Sequence, residues 1–497
     1  MKDKRPLDTW GRLGGKKQLP GQEAARAAFA KNAHDEIPRI IKAHKAWMVA
    51  VIGGGDLDPE TGCRILGALD AVDVDDIIAT YDRRFDKPIL QLERYLTDQV
   101  GPIASNVLAG RTLPPPLYRM KARKSILPLI GAALDLRATL LDVAAQHVRT
   151  VMPGYTHLSH AQPTTYGHYL VGFHDALARA SAQIEAAYAA TNRCNMGCGA
   201  LAGTSFHVDR AVLADLLGFD GVLEHANDCV AATDFVLDLA AALTNLCIPV
   251  SRVANELDVW TTFEANMLEI SDEIAATSSM MPQKKNATIC EHLRAALGAV
   301  MGAYTEVACQ AHNTSYGDTM DVMFIYWKVP EIAAKGVWVC RRTATLVANL
   351  SVHADVMVRH AREGFSTASE LAAVILREKN VPWRVAHAVV AGVVRRLADA
   401  GRTAADITPA IIDEVAAEVA GEPLGLSAQQ IEAATDPVAF VEAMTSQGGA
   451  APTETARMIH ARTEELDGDR RRHQQRLQRL TDADARLEAA VGRITSP

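Results

Sequence analysis

The sequence predicts an all-α fold built around a central group of long helices. Its clearest periodicity runs from residue 235 to residue 260, where apolar side chains recur at steps of three or four. No alternating strand pattern extends over more than a few residues. Long apolar stripes are typical of helices packed in a bundle. We therefore expect three helical domains, at residues 1–112, 113–361 and 362–497, with the long helices in the central domain.

Size and composition exclude several classes of function. The chain has 497 residues, of which 48% are apolar and 22% are charged, as in a water-soluble globular protein. A net charge of −8 argues against nucleic-acid binding, which needs a concentrated basic surface. The N-terminus lacks the pattern of a secretory signal, and no uncharged apolar run is long enough to span a membrane.

The cysteines predict a cytoplasmic protein without a metal site. The chain has 8 cysteines, and they are scattered, mostly within apolar helical patterns. Cys194 and Cys198 form the one close pair, with no second pair at metal-ligand spacing. We therefore expect reduced thiols, no metal and no cofactor.

Helix signals begin near residue 23, after a polar N-terminal arm at residues 1–22. The first helix should end at the glycine run that begins at Gly53, and the next should start at Asp58-Pro59. Three prolines at 114–116 predict a boundary, with helix resuming at about residue 117. The long helix at 235–260 contains Pro249, where we expect a kink.

Polar islands interrupt the helices. The first covers residues 101–116, the second 151–164 and the third 313–321, and a polar loop spans 278–286. The loop carries two hydroxyls, two ammonium groups and an amide, and an apolar helix follows it. Each island lies beside a long helix, so the islands could meet at ends of the bundle.

The side chains of these islands suit proton abstraction next to a carboxylate. No Gly-x-Ser-x-Gly elbow is present, which argues against a serine hydrolase. Removing a β-proton builds charge on the carboxylate oxygens, and lysine and amide donors stabilise that charge. A general acid would then protonate the leaving group.

The loop resembles the signature loop of the fumarase/aspartase superfamily, and the chain is most similar to its argininosuccinate lyase-like branch. The resemblance extends nearly from end to end. The matching motifs are Trp10-Gly11-Arg12-Leu13, Gly110-Arg111-Thr112, Met152 to Leu158, Ala161-Gln162-Pro163, Gly199 to Gly203, Ser278 to Asn286, Phe365 to Ala368 and Val381 to His387.

This resemblance implies a homotetramer whose long central helices form a twenty-helix bundle, with each active site built from three subunits. It also implies reversible anti-elimination from an amino-dicarboxylate to give fumarate and an amine. Ser278 would take the Cβ proton, and His157, paired with Glu291, would assist on the acid side. Substrate binding would involve Arg111, Thr112, Thr156, Gln162, Ser279, Met281, Lys284, Asn286, Tyr316 and Asp321.

Several of these residues also allow a structural interpretation. Ser279 is expected to be structural, because only one hydroxyl can face the proton, and Lys285 is expected to be solvated. Glu291 could close a capping box with Thr288. Tyr316 could equally be a packed ring.

Departures from the family pattern point to a different substrate. Argininosuccinate lyases usually read Gly-Arg-Ser-Arg-Asn-Asp in the first island, where this chain has Leu113 and prolines. In the third island, Asp321 and Phe324 stand where the family has glutamine and lysine. Losing one partner of a desolvated ion pair costs about 3–5 kcal/mol. We therefore expect an N-substituted aspartate other than argininosuccinate, such as ethylenediamine-disuccinate. The alternatives are a genuine argininosuccinate lyase and a non-catalytic, crystallin-like homologue.

Overall fold

The computed structural model describes residues 21–85, 87–112 and 114–496. Within them the α-helices are α1 (Gln22–Gly53), α2 (Pro59–Asp70), α3 (Val74–Ala79), α4 (Pro88–Val100), α5 (Pro114–Gln146), α6 (Tyr166–Thr191), α7 (Arg210–Leu216), α8 (Asp228–Ala231), α9 (Asp234–Trp260), α10 (Thr288–Ala311), α11 (Met320–Ala348), α12 (Ala354–Glu363), α13 (Ala368–Lys379), α14 (Trp383–Asp399), α15 (Pro409–Ala420), α16 (Ala428–Thr435), α17 (Pro437–Ala443) and α18 (Pro452–Thr495). The strands are β1 (Val151–Thr156), β2 (Ser159–Thr165), β3 (Leu268–Ile270), β4 (Ala276–Thr277), β5 (Lys285–Asn286) and β6 (Leu350–Val352). The predicted all-α class is confirmed, although the short antiparallel pairs β1–β2, β3–β6 and β4–β5 were not predicted.

Five long helices form the central bundle. In it α5 packs against α6 and α11, α9 packs against α6 and α10, and α10 packs against α11. Their inward stripes share one hydrophobic core, to which α9 contributes the buried side chains Phe235, Leu239, Leu243, Leu246, Val250 and Leu257. The periodicity at 235–260 therefore did mark a core helix, and Pro249 lies inside it.

The bundle has two ends with different contents. Hairpin β1–β2 joins α5 to α6, and the polar loop joins α9 to α10, so both lie at one end, which we call the hairpin end. Residues 192–233 follow α6, and the third island follows α10, so both lie at the opposite end. This alternation places the polar islands in two groups.

The N-terminal helices begin and end where local signals place them. Helix α1 ends at Gly53, and the Asp58 side chain caps α2 by accepting a hydrogen bond from the Thr61 N–H. Helix was predicted to resume at about residue 117, after the three prolines, whereas it begins at the first of them. Helix α5 begins at Pro114, because the first turn of a helix needs no N–H donors and tolerates proline.

The C-terminal part contains a separate small core and one very long helix. Helices α13 to α16 share a hydrophobic cluster of their own. Helix α18 instead runs back along α5 and the N-terminal helices, where Glu488 pairs with Lys45. The division at 112 and 361 stays a prediction. The predicted arm at residues 1–22 lies almost entirely outside the described residues, as do the motif at 10–13 and Leu113.

One helix of the described part, α9, is long and apolar enough to cross a membrane by length and composition alone. Its inward side chains belong to the core shared by the five bundle helices. This is the pattern of a core helix.

Candidate active site

Hairpin β1–β2 carries the predicted residues of the second island. Its pairing joins Thr156 to Ser159, so a two-residue turn of His157 and Leu158 connects the strands. A register shift follows Pro153, where a Cβ on Gly154 would lie 2.5 Å from the Gln162 carbonyl oxygen. Glycine is therefore required at position 154, where the two strands approach closely.

The turn has a backbone conformation that its residues seldom adopt. His157 has a φ of 54° and Leu158 a φ of 62°. Both values belong to the left-handed region, which favours asparagine and glycine and costs other residues about 1–2 kcal/mol. Leu158 is 91% exposed, and the side chains of Thr156 and His157 are exposed beside it. A strained, exposed tip of this kind indicates a functional constraint.

Tyr155 joins the hairpin to the end of α9. Its ring packs against Trp260 with centroids 6.3 Å apart, and its hydroxyl lies 3.9 Å from the Met267 sulfur. Gln162, on the other strand, donates to the Ser369 hydroxyl at 3.3 Å. The hairpin is therefore attached to both the bundle and the C-terminal helices.

The polar loop leaves the bundle on a short two-stranded stem. In it Ala276 pairs with Asn286, and Thr277 pairs with Lys285. The Lys285 ammonium lies 2.5 Å from Glu269 Oε1 and 2.7 Å from Asp272 Oδ1, which raises the pKa of Lys285 to about 12. The motif predicted that Lys285 is solvated. It did not reveal the two ion pairs, because Glu269 and Asp272 lie outside the loop motif.

Ser278 lies at the first position of the loop, where its oxygen accepts backbone hydrogen bonds. The Met281 N–H donates to Ser278 Oγ at 3.0 Å and the Met280 N–H at 3.3 Å. Donors in this position would stabilise negative charge on the oxygen. Ser279, one residue on, is exposed and has no hydrogen bond to its side chain within the described residues.

Two further polar residues of the loop, Lys284 and Asn286, can reach a bound anion. The Lys284 side chain is exposed, with no carboxylate of the described residues at ion-pair distance, and Met281 is also exposed. The Asn286 amide donates to the Ala276 carbonyl at 3.1 Å, which fixes its orientation and leaves its second N–H available. The lysine and the amide can therefore both reach an anion.

Glu291 does not form the predicted capping box. Helix α10 has Ala287 at its N-cap without a side-chain hydrogen bond, so Thr288 is already inside the helix. The capping-box interpretation was wrong, because the stem shifts the helix start by one residue. Glu291 is exposed, and no hydrogen bond or ion pair of the described residues joins it to His157. Their pairing stays a prediction.

Arg111 points into the N-terminal core. Its Nε donates to the Val107 carbonyl at 3.0 Å, its Nη2 contacts His44, and the guanidinium lies 5.4 Å from the Trp47 ring centroid. Burial lowers the pKa of Arg111 to about 9. These contacts indicate that Arg111 holds the first island in place, whereas Thr112, next along the chain, is half-buried.

Tyr316 and Asp321 lie at the opposite end of the bundle. Tyr316 is 67% exposed, and its hydroxyl donates to Asp228 Oδ1 at 2.5 Å. Asp321 is exposed in the first turn of α11, one turn before Phe324. Phe324 packs edge-on against Trp327 with ring centroids 5.0 Å apart. Two acidic and three aromatic side chains are thus found at this end.

One chain keeps the two groups of residues far apart. Helix α10 has 24 residues between the polar loop and the third island. At a rise of 1.5 Å per residue that is about 36 Å. Within one chain the loop and the hairpin share an end, whereas Tyr316 and Asp321 cannot reach them.

Two family models match the chain. A lyase family model matches residues 117–302, and a model of the C-terminal region of argininosuccinate lyase matches residues 365–442. Argininosuccinate lyase of Methanosarcina barkeri is 35% identical over 391 residues, which cover 77% of this chain and 78% of that protein. Argininosuccinate lyase 1 of Shouchella clausii is 29% identical over 95% of this chain and 97% of that protein.

Solved structures add a second kind of relative. An EDDS lyase variant with bound fumarate and EDDS lyase in complex with formate each superpose with a TM-score of 0.84. Each is 28% identical and covers 97% of both chains. A class II fumarase of Schistosoma mansoni, 14% identical with a TM-score of 0.61 over 86% of this chain and 96% of the fumarase, shares the fold.

Proposed function

The chain belongs to the argininosuccinate lyase-like branch of the fumarase/aspartase superfamily, and on that basis we propose that it releases an amine other than arginine from an N-substituted aspartate. It is a carbon–nitrogen lyase that forms fumarate. Its eight free cysteines suit a reducing compartment, and we place it in the cytoplasm. No cofactor enters the proposed reaction.

The hairpin end supplies the fumarate half of the site. Ser278 takes the Cβ proton of the substrate, and the two backbone donors on its oxygen support it as the base. Lys284 and Asn286 bind the carboxylate on which charge accumulates. The C–N bond then breaks, and its electron pair leaves with the amine nitrogen.

The hairpin residues complete this half of the site. Thr156 and Gln162 bind substrate, with Ser279 and Met281 beside them on the loop. His157, paired with Glu291, assists on the acid side. The strained turn supports this role for His157, because such strain persists where the surroundings require one geometry.

The opposite end supplies the amine half, so several chains must contribute to each site. About 36 Å of α10 separates the halves within one chain, and antiparallel packing of bundles in a homotetramer would bring them together. Exposed apolar side chains on α9, α10 and α11 support such packing. They are Ile248, Met301, Tyr304, Phe324, Trp327 and Trp338.

Residues 321 and 324 carry the proposal about the substrate. The family usually has a lysine at 324, which would bind the amino-acid carboxylate of arginine, and this chain has phenylalanine. Asp321 adds a negative charge one turn away. A leaving group with a second amine fits this pair better than arginine does, as in ethylenediamine-disuccinate. The similarity to EDDS lyase supports this choice.

A genuine argininosuccinate lyase is the second candidate. The 35% identity to the Methanosarcina barkeri enzyme favours it. The test is to incubate the protein with argininosuccinate and, separately, with fumarate and a panel of mono- and diamines. We expect adducts with diamines and little fumarate from argininosuccinate. Argininosuccinate turnover at a rate normal for such lyases would overturn the altered-substrate proposal.

A further inference from the structure

A hydrogen-bonded tether fixes an exposed aromatic ring at the opposite end of the bundle. The Tyr316 hydroxyl donates to Asp228 Oδ1 at 2.5 Å, and Asn227 Nδ2 donates to the Tyr316 carbonyl at 3.4 Å. The two partners are adjacent in sequence, at the start of α8. The side chain of a residue that is 67% exposed would otherwise sample several rotamers. The tether therefore gives this ring one orientation.

The tether also decides which hydrogen bonds Tyr316 can make. A phenol has one proton, and here the proton is donated to a carboxylate. The hydrogen bond to Asp228, together with the negative charges of Asp228 and Asp234, raises the pKa of Tyr316, so the hydroxyl keeps its proton. The lone pairs of the phenol oxygen remain free to accept a hydrogen bond. A substrate meets a hydrogen-bond acceptor there.

The positive charge that acts on these acids is held by a buried arginine. Arg119 is the arginine whose charge acts on Asp228 and Asp234, but it is 3% exposed. Its Nη1 donates to the Ala190 carbonyl at 2.8 Å, and its guanidinium lies 4.5 Å from the Phe235 ring centroid. Its charge is thus held beneath the surface. The exposed His225 ring accepts a hydrogen bond from the Asp228 N–H at 3.4 Å, so what Tyr316 and Asp228 themselves present is a phenol oxygen and a carboxylate.

We propose that Asp228 is a positioning residue that determines amine specificity, by making Tyr316 an acceptor for a second N–H cation on the leaving group. The inference rests on the proposed function, since it assumes that this end binds the amine. A distal ammonium donates to the phenol oxygen and is attracted by the Asp228 charge. A carboxylate at the position of that ammonium, as in an amino-acid leaving group, meets two acceptors there and is repelled.

The test compares ethylenediamine with methylamine as partners for fumarate. In Asp228→Asn the amide oxygen can still accept the Tyr316 proton while the charge is lost, and Tyr316→Phe removes the phenol oxygen. We expect Asp228→Asn to reduce the ratio of kcat/KM for ethylenediamine over methylamine by about tenfold to hundredfold, mostly through KM. Tyr316→Phe should reduce the ratio as well, and Asp482→Asn, an exposed acid on α18, is the matched control.

The outcomes separate this inference from the proposed function. Wild-type protein that adds neither amine to fumarate overturns the proposed function and this inference with it. Wild-type protein that adds both amines, together with an Asp228→Asn variant whose ratio equals that of Asp482→Asn, overturns this inference alone. A loss confined to kcat, equal for both amines, also overturns it, because a merely structural role would produce that result.

Discussion

Lys285 Nζ lies 2.5 Å from Glu269 Oε1, so an ion pair joins the stem of the polar loop to the strand beneath it. The loop carries the proposed base and the proposed carboxylate ligands, and their positions depend on this stem. Asp272 makes a second ion pair to the same ammonium at 2.7 Å. The anchor therefore links a residue outside the site to the geometry of the site.

Lys285→Met should lower kcat/KM for the preferred amine by about tenfold, because small misplacements of catalytic groups reduce rates steeply. Glu269→Gln should act in the same direction but less, since Asp272 remains. Steady-state kinetics of fumarate formation measure both effects. Lys124→Met, which removes an ion pair to Asp35 far from the loop, is the control. An unchanged Lys285→Met enzyme would contradict the anchoring role.

Ser278→Ala should reduce kcat by about 10²–10⁴-fold, the range that a positioned general base contributes. Ser279→Ala is a matched control one residue away, with the same atoms removed, and we expect a much smaller loss. Single-turnover measurement of fumarate formation distinguishes the chemical step from product release. If the two variants lose activity equally, the assignment of the base to Ser278 is wrong.

Mixed oligomers test whether opposite ends of different chains share a site. Ser278→Ala damages the hairpin end, and Tyr316→Arg damages the opposite end. If each site takes one group from each of two chains, random mixing of the two inactive variants restores about a quarter of the sites. Activity is measured after denaturation and refolding together, with each variant refolded alone as the control. A mixture that stays inactive, although the two variants co-assemble, would contradict a shared site.

The buried carboxyl group of Glu93 should make the free energy of unfolding depend on pH, independently of catalysis. It is 2% exposed, its Oε2 has no partner among the described residues, and burial raises its pKa from 4.5 to about 7. The folded state therefore holds this proton more tightly than the unfolded state. The stabilisation is complete below pH 4.5 and is lost as pH rises through about 7.

Glu93→Gln should remove this dependence and raise the free energy of unfolding at about pH 8 by about 1–3 kcal/mol, with little change at about pH 5. Urea unfolding at the two pH values measures the difference. Glu60→Gln, at an exposed position on α2, should leave the pH dependence as it is. A Glu93→Gln variant that loses stability at high pH would mean that the carboxylate is stabilised in the folded protein.

Periodicity was enough to predict the bundle, because stripes such as the one on α9 record burial directly in the sequence. The hairpin at 151–165 was missed, since Pro153, Gly154 and Pro163 imitate an irregular loop and the bulge disrupts alternation. Contacts between residues distant in sequence could not be predicted from local motifs. Arg111 contacts His44 across 67 positions, which the motif around Arg111 does not reveal.

The sequence predicted the site residues that lie within local motifs, but not the residues that hold them in place. The loop motif named Ser278, Lys284 and Asn286, but the anchors of the loop, Glu269 and Asp272, lie outside it. Asp228 was also missed, because its contact with Tyr316 spans 88 positions and belongs to no motif. The length of α10 places the predicted site residues at opposite ends of the bundle, and no single motif reveals this separation.

The most direct test of the central claim compares two substrates in one assay. Fumarate release is measured from argininosuccinate and from N-(2-aminoethyl)aspartate, each over a full concentration range. The substitutions at 321 and 324 predict that kcat/KM is higher for the diamine-derived substrate by about 100-fold or more, as expected when one desolvated ion-pair partner is missing. A kcat/KM that is higher for argininosuccinate would contradict the claim and identify an argininosuccinate lyase.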